Sequence, residues 1–256
     1  MTEAEKARLE AIWLTSVEKM REVVREFRIT QDELHVAGDF FNRLGQSGFS
    51  RSLIDVALAM TSVDIFDGVK GGTRPNLLGP YHKPHDARSD GNLLTRPLKE
   101  ADTRLTFTGT VRNAKTGAPL PGVELDVWQT DGEGIYDHAG PHLSGLVVTG
   151  PDGRFTVHTV LPSDYSQHDH DPIGELFRAM GRTNSRAAHI HLKAKLNGRD
   201  LLTTQIFMPT SKILDSDYVT GAVSDDLIVT LVDDGVDERG KPKLKTEFDI
   251  RLVDVP

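Results

Sequence analysis

The chain of 256 residues contains no cysteine. This absence excludes disulfides, thiol nucleophiles, thiolate zinc sites and iron–sulfur clusters. Any bound metal must therefore be held by histidine, carboxylate or tyrosine side chains. Tyrosine itself is scarce, with only four in the chain, so the position of each one bears on whether a metal site exists.

The chain also lacks an excess of positive charge, since its net charge is −8. Nucleic acids and anionic membrane surfaces bind basic patches, so neither is expected as a partner. No apolar run is long enough to cross a bilayer, and no membrane span is predicted. The first residues, MTEAEKARLEAIW, are acidic and contain no apolar signal core, which predicts a cytoplasmic location.

Residues 1–100 carry helical patterns. Apolar residues from Leu9 to Phe27 recur at three- and four-residue steps and predict an amphipathic helix. Thr30 followed by Glu33 predicts a capping box that opens a second helix, and SRSLIDVALAMTSVDIFD predicts a third. Residues 68–100 are rich in glycine and proline and predict a long irregular connection. Loops of this length are more often functional than idle.

From Arg104 onward the pattern changes to strands. Single strands are predicted by RLTFTGTVRN, VELDVWQT, DLIVTLVDD and KTEFDIRLVDV. GLVVTGPDGRFTVHTVLP predicts a hairpin about Pro-Asp-Gly, and AHIHLKAKLNGRDLLTTQIF predicts another about Asn-Gly. Short strands without intervening helices predict an antiparallel β-sandwich. The predicted fold class is therefore α+β, with a helical region at residues 1–100 and a β-sandwich domain at residues 101–256.

The stretch SRAAHIHLK places two histidines on one predicted strand. Residues i and i+2 of a strand point to the same face, so His189 and His191 project side by side, as two ligands of one metal would. Pairs of this kind also occur on ordinary strands. The two histidines alone leave both interpretations open.

Two tyrosines precede the histidine pair, each just past the end of a predicted strand. Tyr136 follows DVWQTDGEGI and Tyr165 follows VLPSD, and a sandwich could gather all four residues at one end. Phenolate is a hard, strongly donating ligand that suits a trivalent metal, and tyrosine serves as an iron ligand elsewhere. Zinc would be better matched by cysteine or a third histidine. The alternative for each tyrosine is a packed ring with a solvated hydroxyl.

Four motifs in order, LDVWQTDGEGIYD, TVLPSDY, SRAAHIHLK and LLTTQIF, resemble those of the intradiol ring-cleavage dioxygenases, in their catechol and hydroxyquinol 1,2-dioxygenase branch. The resemblance extends over nearly the whole chain. It implies a non-haem Fe(III) enzyme that splits dihydroxylated aromatic rings with O2. It also implies one Fe(III) per subunit, held in the sandwich domain by Tyr136, Tyr165, His189 and His191.

The same resemblance implies roles for further residues. Arg186 would stabilise the negative charge that develops on the substrate ring, and Gln205 would help to position a reaction intermediate. Tyr165 would leave the metal as a proton acceptor when the substrate binds. The helical part would form a homodimer interface, and relatives carry a phospholipid there.

The substrate pocket is where the motifs depart from the family pattern. Catechol-type members carry an apolar Ile-Pro after the second tyrosine, whereas this chain has YSQHDHDPIGELF. Gln167 and His168 therefore predict contacts to a more polar ring. Asp55 matches an aspartate of the hydroxyquinol branch. These features favour hydroxyquinol as substrate, with maleylacetate as product, and the alternative is catechol or chlorocatechol, giving cis,cis-muconates.

The segment LLGPYHKPH resembles the family stretch beside the substrate ring, which implies that Gly79, Pro80 and Tyr81 line the pocket. His168 and His170 form a second His-x-His, for which a rival metal site is the less favoured reading. Two other functions compete with a dioxygenase. One is a non-enzymatic binding module of the transthyretin type. The other is a zinc hydrolase that uses His189 and His191 with a carboxylate, which leaves both tyrosines unexplained.

Overall fold

The computed structural model describes residues 1–255, the side chain of Val69 excepted. Two units group by their contacts, Met1–Ser50 and Arg51–Pro256. The predicted division after residue 100 follows the change from helices to strands instead, and it stays a prediction. None of the helices among the described residues is long and apolar enough to cross a membrane.

The first unit contains two helices, α1 (Glu3–Phe27) and α2 (Gln31–Ser47). A capping box opens each of them. Thr30 accepts a hydrogen bond from the backbone N–H of Glu33, whose carboxylate accepts the N–H of Thr30 in return. Thr2 begins α1 with the same reciprocal pair, which satisfies backbone donors that would otherwise lack partners. The capping box predicted at Thr30 is thus confirmed.

The predicted third helix is present but irregular. It consists of α3 (Ser50–Ile54), a π-helical turn (Asp55–Ala59) and α4 (Met60–Phe66). The backbone carbonyl of Val56 in the π turn accepts a hydrogen bond from the N–H of Thr220 at 3.0 Å, which ties this turn to the loops of the second unit. The connection that follows, as predicted, contains little regular structure apart from a 3₁₀ turn at Gly68–Lys70.

The strands of the second unit form two main sheets and one short ladder. In the first sheet, β1 (Arg104–Asn113) pairs on one side with β4 (Arg154–Val160). On its other side, β1 pairs with β10 (Pro242–Glu247) and β11 (Ile250–Leu252), and β9 (Val232–Val236) pairs with β10. The second sheet has the order β3 (Ser144–Val148), β2 (Glu124–Gln129), β7 (His189–Leu196) and β8 (Arg199–Phe207). The short ladder joins β5 (Tyr165–Ser166) to β6 (Ser185–Arg186).

Apolar side chains alternate along these strands and build the core. On β4, Phe155 and Val157 are buried while their neighbours along the strand are exposed, and on β1 Phe107 meets Phe155 edge to face with ring centroids 5.2 Å apart. Each fully buried side chain of this kind stabilises the fold by about 1.5–3 kcal/mol relative to exposure. The predicted α+β class, helices followed by largely antiparallel sheets, is confirmed.

The predicted hairpin about Pro-Asp-Gly is wrong, although both of its strands exist. β3 pairs with β2 and β4 pairs with β1, so the turn at residues 150–153 carries the chain from one sheet to the other. A Pro-Asp-Gly turn specifies only the reversal of the chain. The partner of each strand is decided by which edge buries its apolar face. The other predicted hairpin is confirmed, with Asn197 and Gly198 both at positive φ between β7 and β8.

Other differences lie near the C-terminal end of the chain. The segment DLIVTLVDD begins as a 3₁₀ turn at Asp225–Leu227, and its strand starts only at Val232. The last predicted strand is divided into β10 and β11, which both run parallel to β1. At the break between β10 and β11, the carbonyl oxygen of Phe248 approaches Gly109 of β1 so closely that any side chain at Gly109 would overlap it. One helix, α5 (Pro172–Ala179), was not predicted, although Asp171 followed by proline is a recognised start signal.

Candidate metal centre

His189 and His191 begin the central strand β7, and their rings converge. Both side chains are almost fully buried, and their Nε2 atoms lie 3.0 Å apart. Pairing of β7 with β2 on one side and β8 on the other fixes the backbone, while the two-residue spacing places both rings on one face. The local strand geometry alone therefore creates two adjacent nitrogen donors.

The protonation of these histidines suits metal binding. Nδ1 of His189 lies 2.6 Å from the carbonyl oxygen of Ala187. Because a carbonyl only accepts, Nδ1 carries the proton and Nε2 has its lone pair free. Burial and the charge of Arg186 hold the pKa of His189 well below its usual value, and burial and the nearby His189 do the same for the pKa of His191. Both rings are neutral, which is the form that binds a metal.

Tyr136 reaches the histidines from the loop that follows β2. Its hydroxyl oxygen lies 3.1 Å from Nε2 of His191, and its side chain is buried. The Asp131 carboxylate accepts hydrogen bonds from the backbone N–H groups of Glu133 and Ile135 at 2.9 and 3.0 Å. These bonds tighten the turn that directs Tyr136 into the cluster.

Tyr165 enters from β5 and meets the first tyrosine. The rings of Tyr136 and Tyr165 stand edge to face with centroids 5.2 Å apart. The ring of Tyr165 is also 5.8 Å from that of His189. Gly134, at a φ of +79°, permits this approach, because a Cβ there would lie 2.5 Å from the carbonyl oxygen of Asp164. A side chain at this position would push the two tyrosine segments apart.

Both phenols hold their protons in the protein alone. Burial raises the pKa of Tyr136, and the neighbouring Tyr165 raises it further. Burial likewise raises the pKa of Tyr165, against the lowering effect of Arg186. A bound cation reverses such a preference, because a metal ion is the largest local charge and favours the ionised ligand.

Tyr136 and the two imidazoles thus bring one phenol oxygen and two ring nitrogens together, and the ring of Tyr165 packs beside them. Ligands with metal bonds of about 2 Å stand about 3 Å apart when they are adjacent, which matches the separations given above for His189, His191 and Tyr136. Two phenolates would offset most of the charge of Fe(III), so the donor set fits that ion. Among residues 1–255 no group of three or more histidines, aspartates or glutamates could hold a metal. The zinc-hydrolase alternative, which needs a carboxylate ligand, therefore has no support.

Arg186 lies directly opposite Tyr165 in the β5–β6 ladder and is 4% exposed. Its Nε donates to both carboxylate oxygens of Asp217 at 3.0 and 3.2 Å, and its Nη2 donates to Oε1 of Gln205 at 2.5 Å. Asp217 is itself buried and accepts two backbone N–H groups at 2.7 and 2.8 Å. The guanidinium is therefore held in one orientation beside the tyrosines, and its Nη1 has no hydrogen bond to the described residues.

Gln205 lies on β8 opposite His191 and is fully buried. Both ends of its carboxamide are occupied, since Oε1 accepts from Arg186 and Nε2 donates to the carbonyl oxygen of Leu77 at 2.8 Å. It connects Arg186 to the segment that begins at residue 77. The expected contact with a reaction intermediate stays a prediction.

The segment that contains Gly79, Pro80 and Tyr81 covers the cluster on one side. The ring of Tyr81 lies against that of Tyr136, with centroids 4.5 Å apart. Gly79 has a φ of +73°, and a Cβ at this position would lie 3.2 Å from Cε1 of His191. Pro80, between them, is exposed. Two of the three predicted lining residues therefore contact the candidate ligands.

Gln167 and His168 lie just beyond Tyr165, around the buried Tyr218. The hydroxyl of Tyr218 donates to Oε1 of Gln167 at 2.6 Å. His168 is 3% exposed, its ring meets that of Tyr218 edge to face with centroids 5.8 Å apart, and its Nδ1 contacts the carboxylate of Asp171. Gln167 therefore reaches Tyr218, whereas His168 is directed towards Asp171 at the start of α5.

Two residues singled out in the sequence are not joined to the four donors by any described hydrogen bond or ion pair. Asp55, in the π turn, pairs with Arg51 at 3.7 Å. His170 is exposed, whereas His168 is buried, so the second His-x-His does not converge on one point. The substrate-binding role of Asp55 stays a prediction.

Sequence reasoning missed two buried neighbours of the cluster. Trp128 on β2 stacks on His191 with ring centroids 4.6 Å apart and planes 6° from parallel. Its position in the DVWQ motif could have predicted the contact, because β2 pairs with the strand that carries His191. Asp217, the partner of Arg186, lies in an irregular loop, where no local pattern identifies it.

Comparison with known proteins gives one family. The Dioxygenase family model matches residues 77–254. Hydroxyquinol 1,2-dioxygenase from Rhizobium sp. is 31% identical over 234 residues, which cover 86% of this chain and 79% of that protein. Catechol 1,2-dioxygenase from Candida albicans is 29% identical over 257 residues, 93% of this chain and 84% of that protein. The crystal structure of 3-chlorocatechol 1,2-dioxygenase from Rhodococcus opacus is similar with a TM-score of 0.86 at 25% identity, covering 98% of this chain and all of that one.

Proposed function

We propose that this chain, which belongs to the intradiol ring-cleavage dioxygenases, holds one Fe(III) per subunit and acts on hydroxyquinol to give maleylacetate. The observation that carries the proposal is the clustering of Tyr136, Tyr165, His189 and His191 beside a buried arginine. That these four residues are the metal ligands is part of the proposal. Family membership leaves the non-enzymatic binding module without support.

The metal and the protein contribute different chemistry. Tyr136, Tyr165, His189 and His191 would hold the Fe(III), which would supply a Lewis-acidic centre that keeps the phenols ionised and favours the ionised form of the substrate hydroxyls. Tyr165 accepts a proton at its phenol oxygen from a substrate hydroxyl. Arg186, held by Asp217 and Gln205, stabilises the negative charge that develops on the ring as O2 attacks. The product retains both oxygen atoms as a diacid, so no external reductant is needed.

Hydroxyquinol differs from catechol by a third ring hydroxyl, which needs a polar partner. Gln167 stands two residues after Tyr165, where catechol-type members carry an apolar residue. Its Oε1 already accepts the Tyr218 hydroxyl, and its amide group adds a donor to this wall. The polar pair of Gln167 and Tyr218 favours hydroxyquinol as the substrate. The alternative is catechol or chlorocatechol, and other relatives of this chain are named after these compounds.

The ligand set is tested by colour. Iron-loaded protein should absorb visible light through tyrosinate-to-iron charge transfer, and Tyr136→Phe should bleach much of this absorption because one phenolate is lost. Tyr218→Phe is the matched control and should leave the colour intact, since Tyr218 bonds to Gln167. Wild-type protein that binds iron and stays colourless would contradict the assignment.

The substrate is tested by oxygen uptake with hydroxyquinol, catechol, pyrogallol and chlorocatechols, with product spectra. We expect the highest kcat/KM with hydroxyquinol. Gln167→Ile should shift the ratio of kcat/KM for hydroxyquinol over catechol by about tenfold towards catechol. The reason is that the third hydroxyl of hydroxyquinol would face the isoleucine without a hydrogen-bond partner. Uptake with none of these compounds would refute the substrate class. An unchanged ratio in Gln167→Ile would refute the role of Gln167.

The assembly is proposed to be a homodimer formed through the N-terminal helices. Along α1, Trp13, Met20 and Phe27 are 66%, 66% and 70% exposed, and exposed apolar side chains of this number mark interaction surfaces. Sedimentation should give a dimer for wild-type protein and a monomer for Trp13→Glu combined with Phe27→Glu. A wild-type monomer would contradict the proposal. Nothing in the described residues supports the predicted phospholipid.

A further inference from the structure

We infer, on the basis of the proposed iron site, that His82, held by Asp126, positions His191 through Trp128. Asp126, His82 and His85 are together called the Asp126 clamp. None of these residues touches the four candidate ligands by a hydrogen bond, and the proposed chemistry does not use them. The role of His82 is to hold the ring of one ligand in place, and Asp126 holds His82.

The clamp joins the irregular segment at residues 68–100 to the second sheet. Asp126 is on β2 and is 7% exposed. One carboxylate oxygen lies 2.8 Å from Nε2 of His82, and the other is hydrogen-bonded to Nδ1 of His85. A single buried carboxylate thus engages two histidines that lie more than forty positions away in sequence. Buried carboxylates are costly unless their oxygens are paired, so both contacts stabilise this arrangement.

Trp128 transmits the position of the clamp to the metal cluster. It is two residues after Asp126 on the same strand, so the two side chains share a face. The indole stacks nearly parallel on His191 at 4.6 Å, and the ring of His82 meets it edge to face at 4.7 Å. His85 is more distant, at 6.4 Å from the indole. The chain of contacts therefore runs from His82 through Trp128 to His191.

For His191, no described residue supplies the usual support of a ligand ring. A metal-bound histidine normally donates its second ring nitrogen to a carbonyl, carboxylate or water, which fixes the ring. His189 has this bond, to Ala187. Nδ1 of His191 is buried and has no hydrogen-bond partner among the described residues. Its ring is instead enclosed by the indole face of Trp128 and by the backbone at Gly79.

The two histidines of the clamp provide a matched test. Iron-loaded His82→Ala and His85→Ala proteins are mixed with excess chelator, and the fading of the charge-transfer absorption gives the rate of iron loss. Loss of outer support of a ligand lowers metal affinity by about 10–100-fold. We expect iron loss to be about tenfold faster in His82→Ala, which removes the contact with Trp128, and to change by less than about twofold in His85→Ala. A purely structural clamp would lower the melting temperature of both variants and leave both rates unchanged.

A second pair of variants decides the matter if an alanine variant does not fold. Trp128→Phe keeps an aromatic face against His191 and should retain iron nearly as well as wild type, whereas Trp128→Leu should lose it about tenfold faster. Equal rates in the two histidine variants, or equal rates in the two tryptophan variants, would overturn the inference. Wild-type protein that takes up no iron would instead refute the proposed function, so the two failures are distinguishable.

Discussion

Asp217 offers a sharp test of how the buried arginine is held. The variant Asp217→Asn keeps the size of the side chain but removes its charge, which leaves Arg186 without a counter-ion. Both side chains are nearly inaccessible, 4% and 3% exposed, with Nε–Oδ distances of 3.0 and 3.2 Å. Breaking one side of a buried ion pair costs about 3–5 kcal/mol. Because asparagine retains one acceptor oxygen, we expect a loss at the lower end, about 3 kcal/mol.

The matched control is the same substitution in an ion pair whose carboxylate is exposed. Asp200 bonds to Lys193 at 2.8 Å but is 57% exposed, so Asp200→Asn should change the free energy of unfolding by less than about 1 kcal/mol. Urea unfolding is followed by tryptophan fluorescence in a Trp13→Phe background, in which Trp128 is the only tryptophan. The signal then reports the sheet that carries the cluster.

Activity provides the second measurement. A misaligned Arg186 stabilises the developing ring charge less well, and loss of such a group costs up to about 10²–10³ in kcat. We expect Asp217→Asn to lower kcat by at least about tenfold, with a small change in KM and with the iron colour retained. Asp217→Asn protein that unfolds at the wild-type urea concentration and keeps the wild-type kcat would refute this reasoning.

Three further outcomes are expected. Gly79→Ala should lower both iron retention and kcat. Gly117→Ala is the control, because Gly117 has the same φ of +73° but a Cβ there would meet nothing within 4 Å, so it should show only the backbone cost of about 1 kcal/mol. Equal effects of the two variants on iron retention would exclude a contact between residue 79 and His191. Removal of iron by a chelator should lower the melting temperature, since saturation at a hundred times Kd stabilises by about 2.7 kcal/mol, and an unchanged melting temperature would contradict metal binding at a buried site. Burial raises the pKa of Asp137, but hydrogen bonds from backbone N–H groups and Arg96 outweigh burial and leave the pKa below its usual value. The ionised carboxylate therefore stabilises the fold fully above about pH 4, and this stabilisation fades at lower pH. The difference in melting temperature between wild type and Asp137→Asn should therefore shrink between pH 7 and pH 3, and a constant difference would count against the ionised carboxylate.

Much of the local structure was determined by the sequence itself. The capping box at Thr30, the Asn-Gly hairpin and the common face of His189 and His191 all depend on residues within four positions of each other. Their physical causes are satisfied backbone donors, permitted φ values and the two-residue period of a strand. Such interactions can be predicted without knowledge of the rest of the chain. The motif order added the expectation that Tyr136 and Tyr165 would join the histidines, which the structure brings together.

The tertiary structure alone decided which distant segments meet. The sequence predicted strands at β3 and β4 but paired them wrongly, because pairing depends on the apolar faces that several strands bury together. It contained no sign that Asp217 would hold Arg186 or that Asp126 would engage two histidines, since partners 31 to 44 positions apart leave no periodic pattern. A buried charge is stable only with a partner, yet composition does not say which partner the fold supplies. The sequence thus determined the kinds of donor available, and the packing of the sheets determined their neighbours.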